Sequence, residues 1–199
     1  YWRDWSSDVC SSDLALQKLS IPLTMLWIIG VTNAVNLIDG LDGLAAGVSS
    51  IAALSLMVLC VLTGTEEAVV FAAAIAGSCL GFLPRNFNPA EIFMGDSGAT
   101  FLGFVLSVTS IIGVFKGYAV FSVIVAMLCL GLPVFDTLFA MIRRAVRHKP
   151  IMQADRGHLH HRLIDRGYSQ KQAVIILYGI SIACGLVALF IALRDPKIF

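Results

Sequence analysis

Asn33, Asn36, Asp39 and Asp42 recur at intervals of three near the end of an apolar run. In a helix that spacing sets them along one narrow, slowly drifting stripe. Intramembrane amides and carboxylates are costly and tend to face a polar cavity. A second set, Arg85, Asn86, Asn88, Glu91, Phe93, Met94, Gly95, Asp96 and Ser97, ends in Gly-Asp-Ser-Gly just before another apolar run. This reads as a helix start, whose free N–H groups and positive dipole end suit anions. The carboxylate there could equally hold Mg²⁺, which takes one or two protein oxygens and leaves the rest of its shell to phosphates and water. A third set gathers Asp155, Arg156, Gly157, His158, His160, His161 and Arg162. Three imidazoles beside arginines can donate hydrogen bonds to a phosphate, or ligate a transition metal. Each set also has a plain structural use: asparagines as glue between helices, aspartates as caps, a basic loop as an anchor at anionic lipid. Together they describe a site for a metal-bound phosphate that carries an organic group.

The elements that must position these sets follow from composition. Of 199 residues, 58% are apolar and only 14% charged, and the mean hydropathy is +0.85. Soluble domains carry about 25% charged residues, so the chain reads as an all-α, polytopic integral membrane protein. Fourteen basic against thirteen acidic residues leave no bulk field for nucleic acid. The five cysteines form no C-x-x-C pair, which argues against a disulfide framework or a zinc site. A bilayer core of about 30 Å takes roughly 20 apolar residues of helix. Uncharged runs at 19–38, 44–62, 68–83, 98–115, 118–135 and 173–193 predict six spans. The third, short and rich in Ala and Gly, reads as a tightly packed interior helix.

Alternate threading of six spans brings segments 39–43, 84–97 and 141–172 to one face, and all three polar sets with them. That face carries nine of the fourteen basic residues, so the positive-inside rule makes it cytoplasmic. Ser20 before Ile21 and Pro22 predicts an N-cap, and Ser169 with Gln172 predicts a capping box that opens the last span. A short amphipathic helix over 158–166 should stop at Gly167. Asp136, just after Pro133 in the fifth run and near the cytoplasmic end of that span, stands apart from the three sets. It either reaches the polar cavity or, as the favoured reading, serves structurally by accepting from the Arg143 region or from freed backbone donors. Residues 1–14 are polar and look adapter-derived, leaving 15–199 as a single transmembrane domain. A transporter or channel using Asn36, Asp39, Asp96 and Asp136 as an ion path is the rival of another class. It calls for ionisable groups at several depths, whereas all but Asp136 gather at one surface.

The strings NAVNLIDGLDGLAAG (33–47), PAEIFMGDSGA (89–99) and DRGHLHHRL (155–163) resemble the polyprenyl-phosphate N-acetylhexosamine-1-phosphate transferases. The resemblance extends over essentially all of residues 17–199. It implies transfer of a sugar 1-phosphate from a UDP-sugar to a polyprenyl phosphate, usually undecaprenyl phosphate, at the cytoplasmic face of a bacterial plasma membrane, with release of UMP. Mg²⁺ is the implied cofactor, with Asn36 and Asp96 as its ligands. Asp39 and Asp42 then belong to the acidic turn lining the nucleotide site, and Phe93 to a surface stacking on uracil. Asn86 falls near the nucleotide, and His158, His160 and His161 near the pyrophosphate and sugar. On this reading Asp39, Asp96 and the three histidines are catalytic, while Asn33, Asp42, Asn86, Phe93 and Arg156 bind substrate.

The histidine segment departs from the triple-His run of the lipid I branch that transfers phospho-MurNAc-pentapeptide, which favours UDP-GlcNAc as donor and a teichoic acid or O-antigen pathway. A homodimer is implied by the resemblance alone. The adjacent aspartates and the lysines that family members carry before the position of Asn33 have no counterpart here. A truncated chain, inactive by itself, is therefore expected.

Overall fold

The structure, a computed structural model, describes residues 13–114, 119–146 and 158–194. Those residues form eight helices and no strand: α1 (Asp13–Ile38), α2 (Leu44–Leu62), α3 (Glu66–Asn86), α4 (Gly95–Val114), α5 (Ala119–Cys129), α6 (Gly131–Val146), α7 (Leu159–Asp165) and α8 (Gln170–Arg194). Five of them, α1 over Ser20–Ile38 together with α2, α3, α4 and α8, are long and apolar enough to cross a membrane. The chain is thus an all-α, multi-pass membrane protein.

The fifth expected span, 118–135, is divided at Leu130 into α5 and α6. Pro133 explains the break: it has no N–H to offer the Cys129 carbonyl, and its ring crowds that carbonyl. In the first turn of α6 the same proline is tolerated. Beyond it α6 is two-faced. Val134, Asp136 and Ala140 are buried, whereas Phe135, Phe139 and Ile142 are exposed.

The interior helix is α2, not α3. Leu44, Val48, Leu56 and Leu59 are fully buried against neighbours from α3, α4 and α8. The small residues of α3 serve one face only: Ala68, Ala72, Ala76 and Cys79 lie against the bundle, while Val70, Phe71 and Leu80 face outward. Small side chains let two backbones approach, and in lipid close packing holds helices together where removal from water cannot.

α1 and α4 run antiparallel in intimate contact. Trp27 Nε1 donates to Ser110 Oγ at 3.0 Å, and a Cβ placed on Gly103 would lie 2.7 Å from the Thr32 Cα. One turn on, the same register brings Asn36 to Asp96. The ends of α1 and α3 and the starts of α2, α4 and α8 gather with α7 at one end of the bundle. At the other end Thr63 Oγ1 donates to the Gly113 carbonyl at 3.1 Å.

Local signals at the helix ends fared unevenly. The capping box at α8 is formed: Gln172 Oε1 accepts from the Ser169 N–H at 2.9 Å, and Ser169 Oγ accepts from the Gln172 N–H at 3.3 Å. The short helix α7 follows His158 and stops before Gly167, whose φ of 92° is left-handed. Ser20, by contrast, does not open a helix. α1 already runs from Asp13 and carries Pro22 inside it, an arrangement membrane helices accommodate. Residues 1–12 lie outside the described residues.

Candidate functional site

The acidic turn after α1 is pinned from several sides. Gly43 closes it with φ 79°, and its N–H is received by Asn86 Oδ1 at 3.2 Å. The other end of the Asn86 amide donates to the Ile92 carbonyl at 2.9 Å, and the residue is 4% exposed. Asn86 therefore spends both ends of its amide joining the turn to the loop before α4. Tyr178 of α8 donates its hydroxyl to the Gly43 carbonyl at 2.5 Å. Asp42 Oδ2 accepts from Asn88 Nδ2 at 2.9 Å and from the Ala90 N–H at 3.2 Å, and Asn88 also donates to Gln170 Oε1 at 2.9 Å. One carboxylate thus ties the turn, the 88–90 loop and the start of α8 together.

Asn36 and Asp96 meet across this frame, the amide donating to Asp96 Oδ1 at 3.5 Å, a long contact. Asp39 is half-buried, and its carboxyl is raised above the ordinary carboxylate range, first by burial and then by the nearby charge of Asp96. Two carboxylates close enough to feel each other's charge, beside the Asn36 amide, make a locally negative corner. Phe93 is 74% exposed, its ring open on the loop that leads to Asp96. Asn33 is exposed too and donates to the Ile29 carbonyl of its own helix at 2.8 Å, so no hydrogen bond among the described residues joins it to this corner. Arg85 and Glu91 pair on the exposed rim, where such a bridge contributes little.

The histidine helix packs onto the same turn. His160 is 3% exposed, and a Cβ on Gly40 would come within 2.6 Å of its Nε2. Its ring stacks on His158, with centroids 5.9 Å apart and planes 9° from parallel, and lies 4.2 Å from the half-buried His161. Behind them Asp136 of α6 receives His158 Nδ1 at 3.0 Å and the Leu159 N–H at 2.9 Å. Arg156 lies outside the described residues.

Burial, reinforced by His161, pushes His160 down to about 4, outweighing the opposite pull of Asp136. The ring is therefore neutral at pH 7 and packs against Gly40 and the two neighbouring histidines. Between pH 6.5 and 4 the unfolded chain takes up a proton at this residue that the folded chain refuses. Stability contributed by neutral His160 is complete above about pH 6.5 and is lost as pH falls toward 4. Thermal unfolding in detergent should show a midpoint that drops across this interval, with a flatter drop in His160→Gln; equal slopes would refute the assignment.

The three sets converge, as alternate threading of the spans requires. Three participants escape a linear reading: Gly40, whose missing side chain admits His160; Tyr178, which braces Gly43; and Asp136, which meets the histidines. For Asp136 a signal was present, since a carboxylate buried in an apolar run must find donors.

Residues 7–114 match glycosyl transferase family 4. Over 160 residues the chain is 43% identical to the probable undecaprenyl-phosphate N-acetylglucosaminyl 1-phosphate transferase of Bacillus subtilis, a match covering 80% of this chain and 45% of that protein. It is 38% identical over 122 residues to the decaprenyl-phosphate N-acetylglucosaminephosphotransferase of Mycolicibacterium smegmatis, covering 55% of this chain and 30% of that one. A phospho-N-acetylmuramoyl-pentapeptide-transferase of Rickettsia bellii is 36% identical over 135 residues, covering 66% of this chain and 35% of the relative. The chain thus spans less than half the length of the curated relatives it matches.

Proposed function

The chain belongs to glycosyl transferase family 4, and from that membership we propose that the protein transfers GlcNAc 1-phosphate from UDP-GlcNAc to undecaprenyl phosphate and releases UMP. The observation that carries this reading is the meeting of Asn36, Asp39 and Asp96 with the histidine helix at one end of a membrane bundle. A lipid phosphate stays at the interface and a UDP-sugar stays in water, so the two can react only where a polar site opens at the membrane surface. The names of the Bacillus and Mycolicibacterium relatives, each a polyprenyl-phosphate N-acetylglucosamine phosphotransferase, support this donor and acceptor over the pentapeptide-bearing alternative.

The corner residues fit Mg²⁺. Among the described residues no group of three or more His, Cys, Asp or Glu gathers to hold a metal unaided. The oxygens of Asn36 and Asp96 suit a hard cation that keeps phosphates and water as its remaining ligands. When bound, Mg²⁺ would neutralise the pyrophosphate and improve UMP as a leaving group.

The chain's own residues then do the positioning. Phe93 offers its exposed ring to the flat face of uracil, and the turn braced by Asp42 and Asn86 holds Asp39 in place. His161, half-buried beside neutral His160, is placed to donate to a phosphate oxygen. Aligned so, an oxygen of the lipid phosphate attacks the phosphorus bearing the sugar, the bond from that phosphorus to UMP breaks, and UMP leaves. Arg85, Arg143, Arg144, Arg162, Arg166 and Lys171 lie on the elements at this end of the bundle, which supports a cytoplasmic site.

The test is UMP release by the complete membrane protein from UDP-GlcNAc with undecaprenyl phosphate, with and without Mg²⁺. Mg²⁺-dependent release is expected. A folded protein that releases no UMP from any common UDP-sugar would overturn the reading.

A further inference from the structure

Asp136 lies in an apolar stretch of α6 and is 6% exposed, yet both of its oxygens are engaged by the segment that carries the histidines. An ionised carboxylate only accepts, so the His158 nitrogen 3.0 Å from Oδ2 must bear the proton. Nδ1 therefore carries hydrogen, and of the two tautomers of the uncharged ring the contact selects the one whose Nε2 is an acceptor. The second oxygen takes the Leu159 N–H, one of the unpaired donors at the start of α7. A single side chain thereby sets both a ring and the helix beginning beside it. From there the contact passes onward, since His158 stacks on His160 and His160 rests against Gly40 of the acidic turn.

We propose that Asp136 is a positioning residue for the histidine helix, holding His158 in the Nδ1–H tautomer and seating α7 against the acidic turn. Its effect on turnover rests on the transfer reaction proposed above; its effect on the tautomer does not. Asparagine separates this role from plain support. In Asp136→Asn the amide oxygen still accepts from the Leu159 N–H, but the amide nitrogen now donates, and the facing His158 nitrogen must become the acceptor.

The experiment uses the complete protein in lipid nanodiscs, with ¹⁵N-labelled histidine and His158 identified by its loss in His158→Gln. Wild type should show His158 protonated at Nδ1, and Asp136→Asn should move the proton to Nε2 with an unchanged thermal midpoint. For UMP release, kcat should fall about 10- to 100-fold in Asp136→Asn, the scale known for losing the partner that orients a metal-ligating histidine. The KM for UDP-GlcNAc should stay within about threefold of wild type, and Asp136→Glu should recover part of the loss. The double variant Asp136→Asn/His158→Ala should be no slower than His158→Ala alone. A His158 tautomer unchanged by Asp136→Asn overturns the proposal whatever the turnover, as does an additive double variant. If wild type releases no UMP while the tautomer switches as expected, the transfer reading falls and the positioning of His158 stands.

Discussion

Asp96→Asn is expected to lower UMP release about 10²- to 10³-fold, the scale for removing one preorganised electrostatic group from an active site, here the carboxylate that would hold Mg²⁺, in a protein that folds as well as wild type. Asp96 is exposed in the first turn of α4, and its contact with Asn36 is long at 3.5 Å. Exposed substitutions of this kind change stability by about 0.5 kcal/mol or less. Asp39 sharpens the prediction. Because burial and Asp96 raise its pKa, folded Asp39 holds its proton to higher pH than the unfolded chain does. In metal-free protein, stability therefore declines as pH climbs from the ordinary Asp value through the raised one. Asparagine at position 96 removes the second cause, so that decline becomes shallower and the variant at neutral pH is at least as stable as wild type. Added Mg²⁺ should raise the unfolding midpoint of wild type but not of the variant, since only a ligand that favours the folded state stabilises it. Wild-type turnover in Asp96→Asn would remove Asp96 from the machinery.

How much of this was legible in the sequence depended on range. The capping box at Ser169 and Gln172 and the stop at Gly167 rest on interactions within a few residues, and both are formed. The convergence of the three polar sets was legible through a global constraint, because helices that cross a membrane alternate sides. Partners distant in sequence were not legible. Asp42 and Asn86 resemble ligand-binding residues in a linear reading, yet in the fold both brace the acidic turn through Asn88, Ala90, Gly43 and Ile92. His160 lies in a basic segment, and nothing near it in sequence announces its burial; it is buried because Gly40, 120 positions earlier, has no side chain to exclude it. The small residues of α3 suggested burial all round, but a stripe of them on one face is enough for close approach to α2. The run 118–135 is apolar throughout, and hydropathy hid the break that Pro133 imposes.

Gly47, the last residue of the first motif, carries the second large prediction. A Cβ there would lie 2.0 Å from Cζ and Oη of Tyr178, a distance no real contact tolerates. The tyrosine ring is rigid and can yield only by leaving the α2–α8 interface, which would also break its hydroxyl bond to the Gly43 carbonyl. Overpacking costs about 1–3 kcal/mol, and loss of the tyrosine hydrogen bond about 0.5–1.5 kcal/mol more, since the Gly43 carbonyl keeps the Gly47 N–H at 2.9 Å. Alanine returns about 1 kcal/mol through its better helix propensity. The expected net loss in Gly47→Ala is about 1–3 kcal/mol on these scales, read from denaturant unfolding in detergent. Gly77, also helical but with nothing within 4 Å of its would-be Cβ, is the control, and Gly77→Ala should be neutral or stabilising. In Gly47→Ala/Tyr178→Ala the clash is relieved while the lost hydrogen bond remains, so the double variant should be less destabilised than the two single losses added. Matching stabilities for Gly47→Ala and Gly77→Ala would show that Tyr178 does not pack on Gly47, and would leave the Asn88 bridge to Gln170 as the tie between α8 and the turn that holds Asp39 and Asp42.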